Sequence, residues 1–261
     1  MNWKVTLNFY PRIILVGTTH PGNIGAAARV MANMGLPDLF LVNPRAFPDP
    51  AATARAAGAE HVLERTRVFG NLAEAVADCG CVIGATARRR SVAWPVLEPK
   101  SAAQRLVHEG VHTPAALVFG PEASGLSNEH LDLCHAHVRI DVETDFSSLN
   151  VATAVAILAY ELRRHVSSAA TPQAQIPSAD LTQPAGAPPM TMGEFDRMMD
   201  HLERVVQKTG FLVMPRTRLL RKLRRLFLRG VRSREEVNIV RGVLTSIEQP
   251  HGGGEPGSDH K

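Results

Sequence analysis

Between residues 12 and 165, short continuous apolar runs alternate with segments in which apolar residues recur every three or four positions. The runs RIILVG (12–17), DLFLV (38–42), CVIGAT (81–86), AALVFG (115–120) and HVRI (137–140) read as strands. Residues 23–34, 50–57, 71–78, 101–109, 127–134 and 148–164 read as helices. Strands that are apolar along their whole length are buried on both faces. Separated by helices, they predict an α/β domain built on a parallel sheet. Gly35 follows the periodic stretch ARVMANM and is placed to end a helix in the left-handed conformation.

The pattern breaks over residues 166–190, where Pro, Ala, Ser and Gln dominate, and a linker is predicted there. Helical spacing then returns. Thr191 and Glu194 have capping-box spacing ahead of Phe195, Met198, Met199, Leu202, Val205 and Val206. Leu219, Leu220, Leu223, Leu226 and Phe227 form a second apolar stripe, ended by Gly230. Ser233 and Glu236 form another capping box before Val237, Val240, Val243, Leu244 and Ile247. The predicted organisation is a first domain over 1–165, a linker over 166–190, a three-helix extension over 191–249 and a disordered tail over 250–261.

Composition narrows the class. With 44% apolar residues in 261, the chain can bury a sizeable core, and with 5% aromatics that core is made of Val, Leu, Ile and Ala. Three cysteines without repeated spacing argue against a disulfide framework and for a reducing compartment. Cys79 and Cys81 lack metal-ligand spacing, so no metal is expected. No apolar run reaches membrane-spanning length and the N-terminus has no secretory pattern, which predicts a soluble, cytoplasmic protein without a membrane partner. The net charge of +4 permits an anionic partner, and its distribution is uneven. Residues 216–234 hold eight Arg and one Lys with no acid. Arg218, Arg221, Lys222, Arg224 and Arg225 are therefore candidate contacts to nucleic-acid phosphates.

Four loops follow predicted strand ends, where open parallel sheets place their ligands. In GTTHPGNIGAAARVMANMG, Asn23 and Arg29 are six residues apart and would not share one face of a continuous helix. Both face one cleft only if Asn23 lies in the entering loop. In GATARRRSVAWP, Arg88, Arg89 and Arg90 are poised for phosphate. In VFGPEASGLSNEHL, the glycines expose backbone, and Glu122 either accepts bonds from a ligand or clamps Arg29. In DFSSLNVATAVAILAYEL, Ser147 or Ser148 can cap a helix. Each loop also has a bland reading: a turn asparagine, solvated arginines, an incidental glutamate, a capping serine. No Walker A loop and no G-x-G-x-x-G after a strand is present, which disfavours nucleotide hydrolysis and dinucleotide binding.

Taken together and in this order, HPGNIGAAAR, GATAR, FGPEASGLSNEHL and SSLNVATAVAILAYEL resemble the motifs of the SpoU family of RNA ribose 2′-O-methyltransferases, part of the SPOUT superfamily. The similarity spans residues 12–164. TTHPGNIGAAARVMANMGL, TARRRSVAWP and the helical extension most resemble the members that act on nucleotide 32 (C or U) of the tRNA anticodon loop. The resemblance implies a SPOUT-type parallel sheet with a C-terminal trefoil knot, S-adenosyl-L-methionine as methyl donor, tRNA as partner, and a homodimer whose sites are completed across the interface. On matching positions it implies donor contacts at Ala85, Thr86, Ala87, Gly120, Ile140, Ser148, Leu149 and Asn150. It implies a catalytic set of Asn23, Arg29, Glu122, Ser148 and Asn150, with Arg88 a further candidate. A guanidinium keeps its proton, so Arg29 is read as stabilising the developing alkoxide, oriented by Glu122 and Asn23. Ser148 is read as capping its helix and touching the site, and Asn150 as holding the donor pocket or the ribose. The alternatives are the same chemistry on rRNA and a non-catalytic RNA-binding module.

Overall fold

The computed structural model describes residues 11–87, 95–143, 148–169, 188–211 and 217–249. The chain divides into two compact units, residues 1–185 with 191–193 and residues 186–190 with 194–261. The first unit contains strands β1 (Arg12–Val16), β2 (Leu39–Val42), β3 (Arg67–Phe69), β4 (Cys81–Ala85), β5 (Val96–Leu97), β6 (Ala115–Phe119) and β7 (Ala136–Val138). Its helices are α1 (Pro21–Met34), α2 (Pro50–Ala56), α3 (Glu60–Glu64), α4 (Leu72–Val76), α5 (Pro99–Glu109), α6 (Asn128–Asp132) and α7 (Val151–Ala169).

All strand pairs are parallel, in the order β3-β2-β1-β6-β4-β7-β5. The α/β class read from the sequence is correct. Both faces of the central strands are covered: Ile13, Leu15, Leu117 and Ile83 join the main core cluster, while the alternate residues Ile14, Val16, Val118 and Val82 are equally buried. The chain first winds outward through β1, β2 and β3, and β6 then returns to β1's other side. That reversal opens a crevice at the carboxyl ends of β1 and β6.

The pattern misses β3, β5 and α3, and the structure shows why. In β3, Arg67 and Val68 are exposed, β5 has two residues with Val96 exposed, and α3 is a single turn with only Val62 buried. None carries enough buried positions to leave a period. α7 continues through Ala169, past the boundary at residue 166 suggested by composition, since Val166 is still buried. Gly35 ends α1 as expected. It lies at φ 74, its N–H bonds Ala32 O and Leu36 N–H bonds Met31 O, which is the Schellman arrangement.

α1 packs against α2 and α7, and α7 in turn against α5. The α1–α2 contact is made by backbone. A Cβ built on Gly25 would lie 1.9 Å from Ala52 O and 2.8 Å from Ala52 C. Gly25→Ala is therefore expected to cost about 3 kcal/mol, since only a helix shift relieves the clash. Chemical denaturation of the variant checks this, and an unchanged midpoint would contradict it.

The second unit holds α8 (Met192–Lys208) from Glu194 onward, α9 (Thr217–Gly230) and α10 (Arg234–Glu248). α8 follows Thr191 directly and buries Phe195, Met198, Leu202 and Val205, as its spacing predicts. The Ser233–Glu236 capping box is formed: Ser233 Oγ accepts from Glu236 N–H at 3.2 Å and Glu236 accepts from Ser233 N–H at 2.9 Å. His201 and Lys208 on α8 both meet Glu248 on α10, at 3.1 and 2.9 Å. The stripes differ from expectation at three positions. Leu226, Val243 and Ile247 are exposed, because Leu228 on α9 and Val237 with Leu244 on α10 supply the inward face.

Candidate active site

The carboxyl end of β1 leads through Gly17, at φ 59, into Thr18-Thr19-His20 and then α1. His20 is the N-cap; its Nδ1 accepts from Gly22 N–H at 3.2 Å, and Pro21 takes the first helical position. α1 therefore starts two residues earlier than the spacing suggested, and Asn23 is helical. This decides the question posed by the interval of six. Asn23 and Arg29 lie on one continuous helix and do not share a face.

Asn23 faces the crevice. Its Nδ2 donates to Glu122 Oε1 at 2.8 Å, across from the loop after β6. The same carboxylate accepts from Thr19 N–H (3.1 Å), Thr19 Oγ1 (2.9 Å) and His20 N–H (3.5 Å). Asn150 Nδ2 donates to Asn23 Oδ1 at 3.1 Å, and Asn150 Oδ1 accepts from Ala152 N–H at 2.9 Å. The order fixes both amides. An ionised Glu122 only accepts, so Asn23 must turn its nitrogen to it and its oxygen to Asn150, whose own oxygen is left for the helix. Burial works to raise the Glu122 pKa, but the bonds from Asn23, its own N–H and Thr19 outweigh it and hold the carboxyl below its ordinary value.

Two expectations are corrected here. The cap of α7 is Asn150, one residue before Val151, and not Ser148; Ser147 lies outside the described residues. Glu122 does not clamp Arg29. Its oxygens are taken by Thr19, His20 and Asn23, and Arg29 is exposed, with no hydrogen bond or ion pair among the described residues of its own chain. The grip of Thr19 and His20 on Glu122 was not foreseen, although the TTH triplet directly after a strand end was the available signal.

Beside this network lies a cavity of about 600 Å³, over the carboxyl ends of β6, β4 and β7. Ala85, Thr86, Ala87, Gly120, Ile140, Ser148 and Leu149, all expected donor contacts, are brought together in its lining. Asn150 sits between two lining residues, Leu149 and Val151. Phe119, Leu126, Val138 and Val142 complete apolar walls that the motifs alone did not show, and Glu122 is the one charged residue among the described residues of the lining. Gly120 has a steric reason to be there: a Cβ on it would lie 2.2 Å from Leu126 N and 2.3 Å from Gly125 C. The loop folds back onto its own start, with Gly125 N–H on Pro121 O at 2.8 Å. Arg88, Arg89 and Arg90 lie outside the described residues. Among the described residues, no group of His, Cys, Asp and Glu is placed to hold a metal, and no helix is long and apolar enough to cross a membrane.

Residues 10–160 match the model of the SpoU rRNA Methylase family. The chain belongs to the SpoU methylase family. The SpoU domain is followed by a match over residues 193–256 to the C-terminal domain of the tRNA methyltransferase TrmJ. The chain is 44% identical over 247 residues to the tRNA (cytidine/uridine-2′-O-)-methyltransferase TrmJ of Klebsiella pneumoniae, covering 93% of this chain and 98% of that one. It is 42% identical over 243 residues to the enzyme of the same name from Salmonella typhimurium, again covering 93% and 98%. The crystal structure of TrmJ from Z. mobilis superposes with a TM-score of 0.78 at 37% identity, covering 92% of this chain and 99% of that one. S-adenosylmethionine is the methyl donor of SpoU enzymes, and this cavity fits it. Its apolar walls suit an adenosine, its small residues allow close backbone approach, and the Glu122 carboxylate favours a cation.

In the second unit, the candidate RNA contacts separate. Arg224 is half-buried, bonds Asp196 Oδ1 at 2.5 Å and lies 5.1 Å over the Phe195 ring, so it serves the packing of α9 on α8. Arg221 and Arg225 are also half-buried, while Arg218 and Lys222 are exposed. Arg229, which was not among the candidates, is exposed too.

Proposed function

We propose that the chain methylates the ribose 2′-hydroxyl of a cytidine or uridine in tRNA, at nucleotide 32 of the anticodon loop. The observation that carries this reading is the junction of the cavity with the Glu122–Asn23–Asn150 chain, in a protein similar over nearly its whole length to enzymes named tRNA (cytidine/uridine-2′-O-)-methyltransferases. The donor supplies an activated methyl on a sulfonium, which departs as a neutral thioether. What remains for the protein is to place the ribose oxygen in line and to stabilise the charge it develops.

Glu122 and Asn23 fix the amino end of α1 against the loop after β6, and Asn150 ties the donor wall of residues 148–151 to the same helix. Arg29 supplies the positive charge. Because it has no bond among the described residues of its own chain, the reading places it in the site of a second subunit, with a homodimer as the active form. The trefoil knot implied for the C-terminal part of the first unit, and a cytoplasmic location suited to three buried free thiols, belong to the same proposal.

The extension over 191–249 supplies tRNA affinity through Arg218 and Lys222. Replacing either by alanine is expected to reduce the slope of log affinity against log salt by about 1, with donor binding unchanged. Arg224→Ala should instead lower the melting temperature. Filter binding across a salt series, beside melting curves, checks the contrast.

Mapping 2′-O-methyl groups in RNA from a strain lacking the protein tests the function as a whole. Loss at tRNA nucleotide 32 is the expected result. Loss only in rRNA would favour the alternative that the family's description raises, and no loss together with failure to bind the donor would favour a non-catalytic RNA-binding module.

A further inference from the structure

A second cavity, of about 440 Å³, opens on the same edge of the sheet over the carboxyl ends of β1 and β2. Among the described residues, Pro121 alone lines both cavities, and it sits against Gly17, whose added Cβ would lie 3.0 Å from Pro121 Cγ. The two spaces are neighbours at that residue. The floor is apolar, from Val16, Val42, Leu72 and Leu133, and the polar members are Asn43, Asn71, Glu129 and His130. Asn71 is committed to capping α4 through Glu74. Asn43 is held at φ 45 by bonds from its N–H to Phe69 O and from Nδ2 to Gly70 O, which leaves its Oδ1 as an acceptor. His130 Nδ1 accepts from Ser127 N–H at 3.3 Å, so the ring carries its proton on Nε2 and can donate there. Burial lowers the His130 pKa against a smaller opposing effect of Glu129, which keeps the ring neutral at pH 7.

An apolar floor with a neutral donor and acceptors at the rim suits a flat heterocycle, and the Glu129 carboxylate disfavours a phosphate inside. A cation stands just outside. Arg45 is exposed, its guanidinium has no partner among the described residues, and its N–H bonds Thr18 O at 3.0 Å, beside the Glu122 network.

We propose that this second cavity takes the unstacked base of a nucleotide flanking the methylated ribose, with the adjoining phosphate on Arg45. The assignment rests on the reading of the chain as a tRNA-methylating enzyme. In that role the loops after β1 and β2 hold the RNA strand in register while the neighbouring ribose enters the crevice.

The test uses the full-length protein and tRNA transcripts with a single base removed at successive anticodon-loop positions. For the wild type, one base removal next to the target should raise KM about tenfold with kcat little changed, as expected for lost uniform binding. Ala73→Phe, which fills the cavity, and Arg45→Ala should each raise KM for intact tRNA by about the same factor. In Ala73→Phe the further penalty for removing that base should vanish. Unchanged KM in both variants with normal wild-type turnover, or a full penalty persisting in Ala73→Phe, would overturn the subsite alone. A wild type that methylates no tRNA would overturn the functional reading and the subsite with it.

Discussion

Arg29→Ala is expected to lower methyl transfer by about two to three orders of magnitude, the usual effect of removing a group that stabilises developing negative charge. Its melting temperature should not change. Arg29 is exposed and makes no bond among the described residues, so the fold loses nothing with it. A solvated arginine of no function would predict wild-type activity, and the two readings are therefore far apart.

The same variant tests the dimer. Asn23 and Arg29 lie on one helix with different faces, and the proposal therefore has Arg29 complete the network of a second chain. Mixing Arg29→Ala with Asn150→Asp protomers creates heterodimers holding one intact site, assembled from the unaltered Arg29 of one chain and the unaltered network of the other. A one-to-one mixture should recover about a quarter of wild-type activity if subunits exchange freely. No recovery after demonstrated exchange would place Arg29 in its own subunit's chemistry or outside the site.

Asn150→Asp isolates the second link. A carboxylate caps a helix as well as an asparagine and is favoured at its positive end, so α7 keeps its start and stability is held or slightly raised. The donation to Asn23 is lost, and two acceptors now face each other. Asn23 can respond only by turning its amide, which withdraws Nδ2 from Glu122. We expect kcat/KM to fall by about ten- to a hundredfold, an amount typical of one charge-assisted hydrogen bond.

The loss has a pH signature. Glu122 has a depressed pKa, so its contribution is complete above the ordinary carboxylate value and disappears only as pH falls through the lower, folded one. The introduced carboxyl takes a proton at about pH 4 and can then donate again, so the deficit relative to wild type should narrow in acid. A deficit constant with pH, or one matched by a lower melting temperature, would point to a merely structural role.

Much of this arrangement is legible in the sequence. β1, β2, β4 and β6 announce themselves because strands buried on both faces are apolar throughout, and the loops that follow β1, β4 and β6, with the run into α7, come together at the cavity and the Glu122–Asn23–Asn150 chain. Edge elements are silent because exposure removes their pattern: Val68 and Val96 contribute nothing to a period. At the site, residue types were readable and bonding was not. Pro21 after a capping histidine was enough to start α1 before Asn23, and with it the six-residue interval to Arg29 already placed the two on different faces. The cap of α7 was misassigned for a related reason. Ser148 and Asn150 are both good caps by type, and Asn150 is the one that also bonds Asn23, a partner 127 positions away that no local rule contains. Arg224 looks like an RNA contact in a run without acids, yet its acid, Asp196, lies on the preceding helix.

The most direct measurement is a crystal structure with the donor product S-adenosylhomocysteine at saturation. The product should occupy the cavity between Gly120, the segment 85–87 and Ile140, against Leu149, with the Asn23–Asn150 bond at its edge. A product bound elsewhere on the chain, or an empty cavity under conditions where binding is shown in solution, would contradict the account.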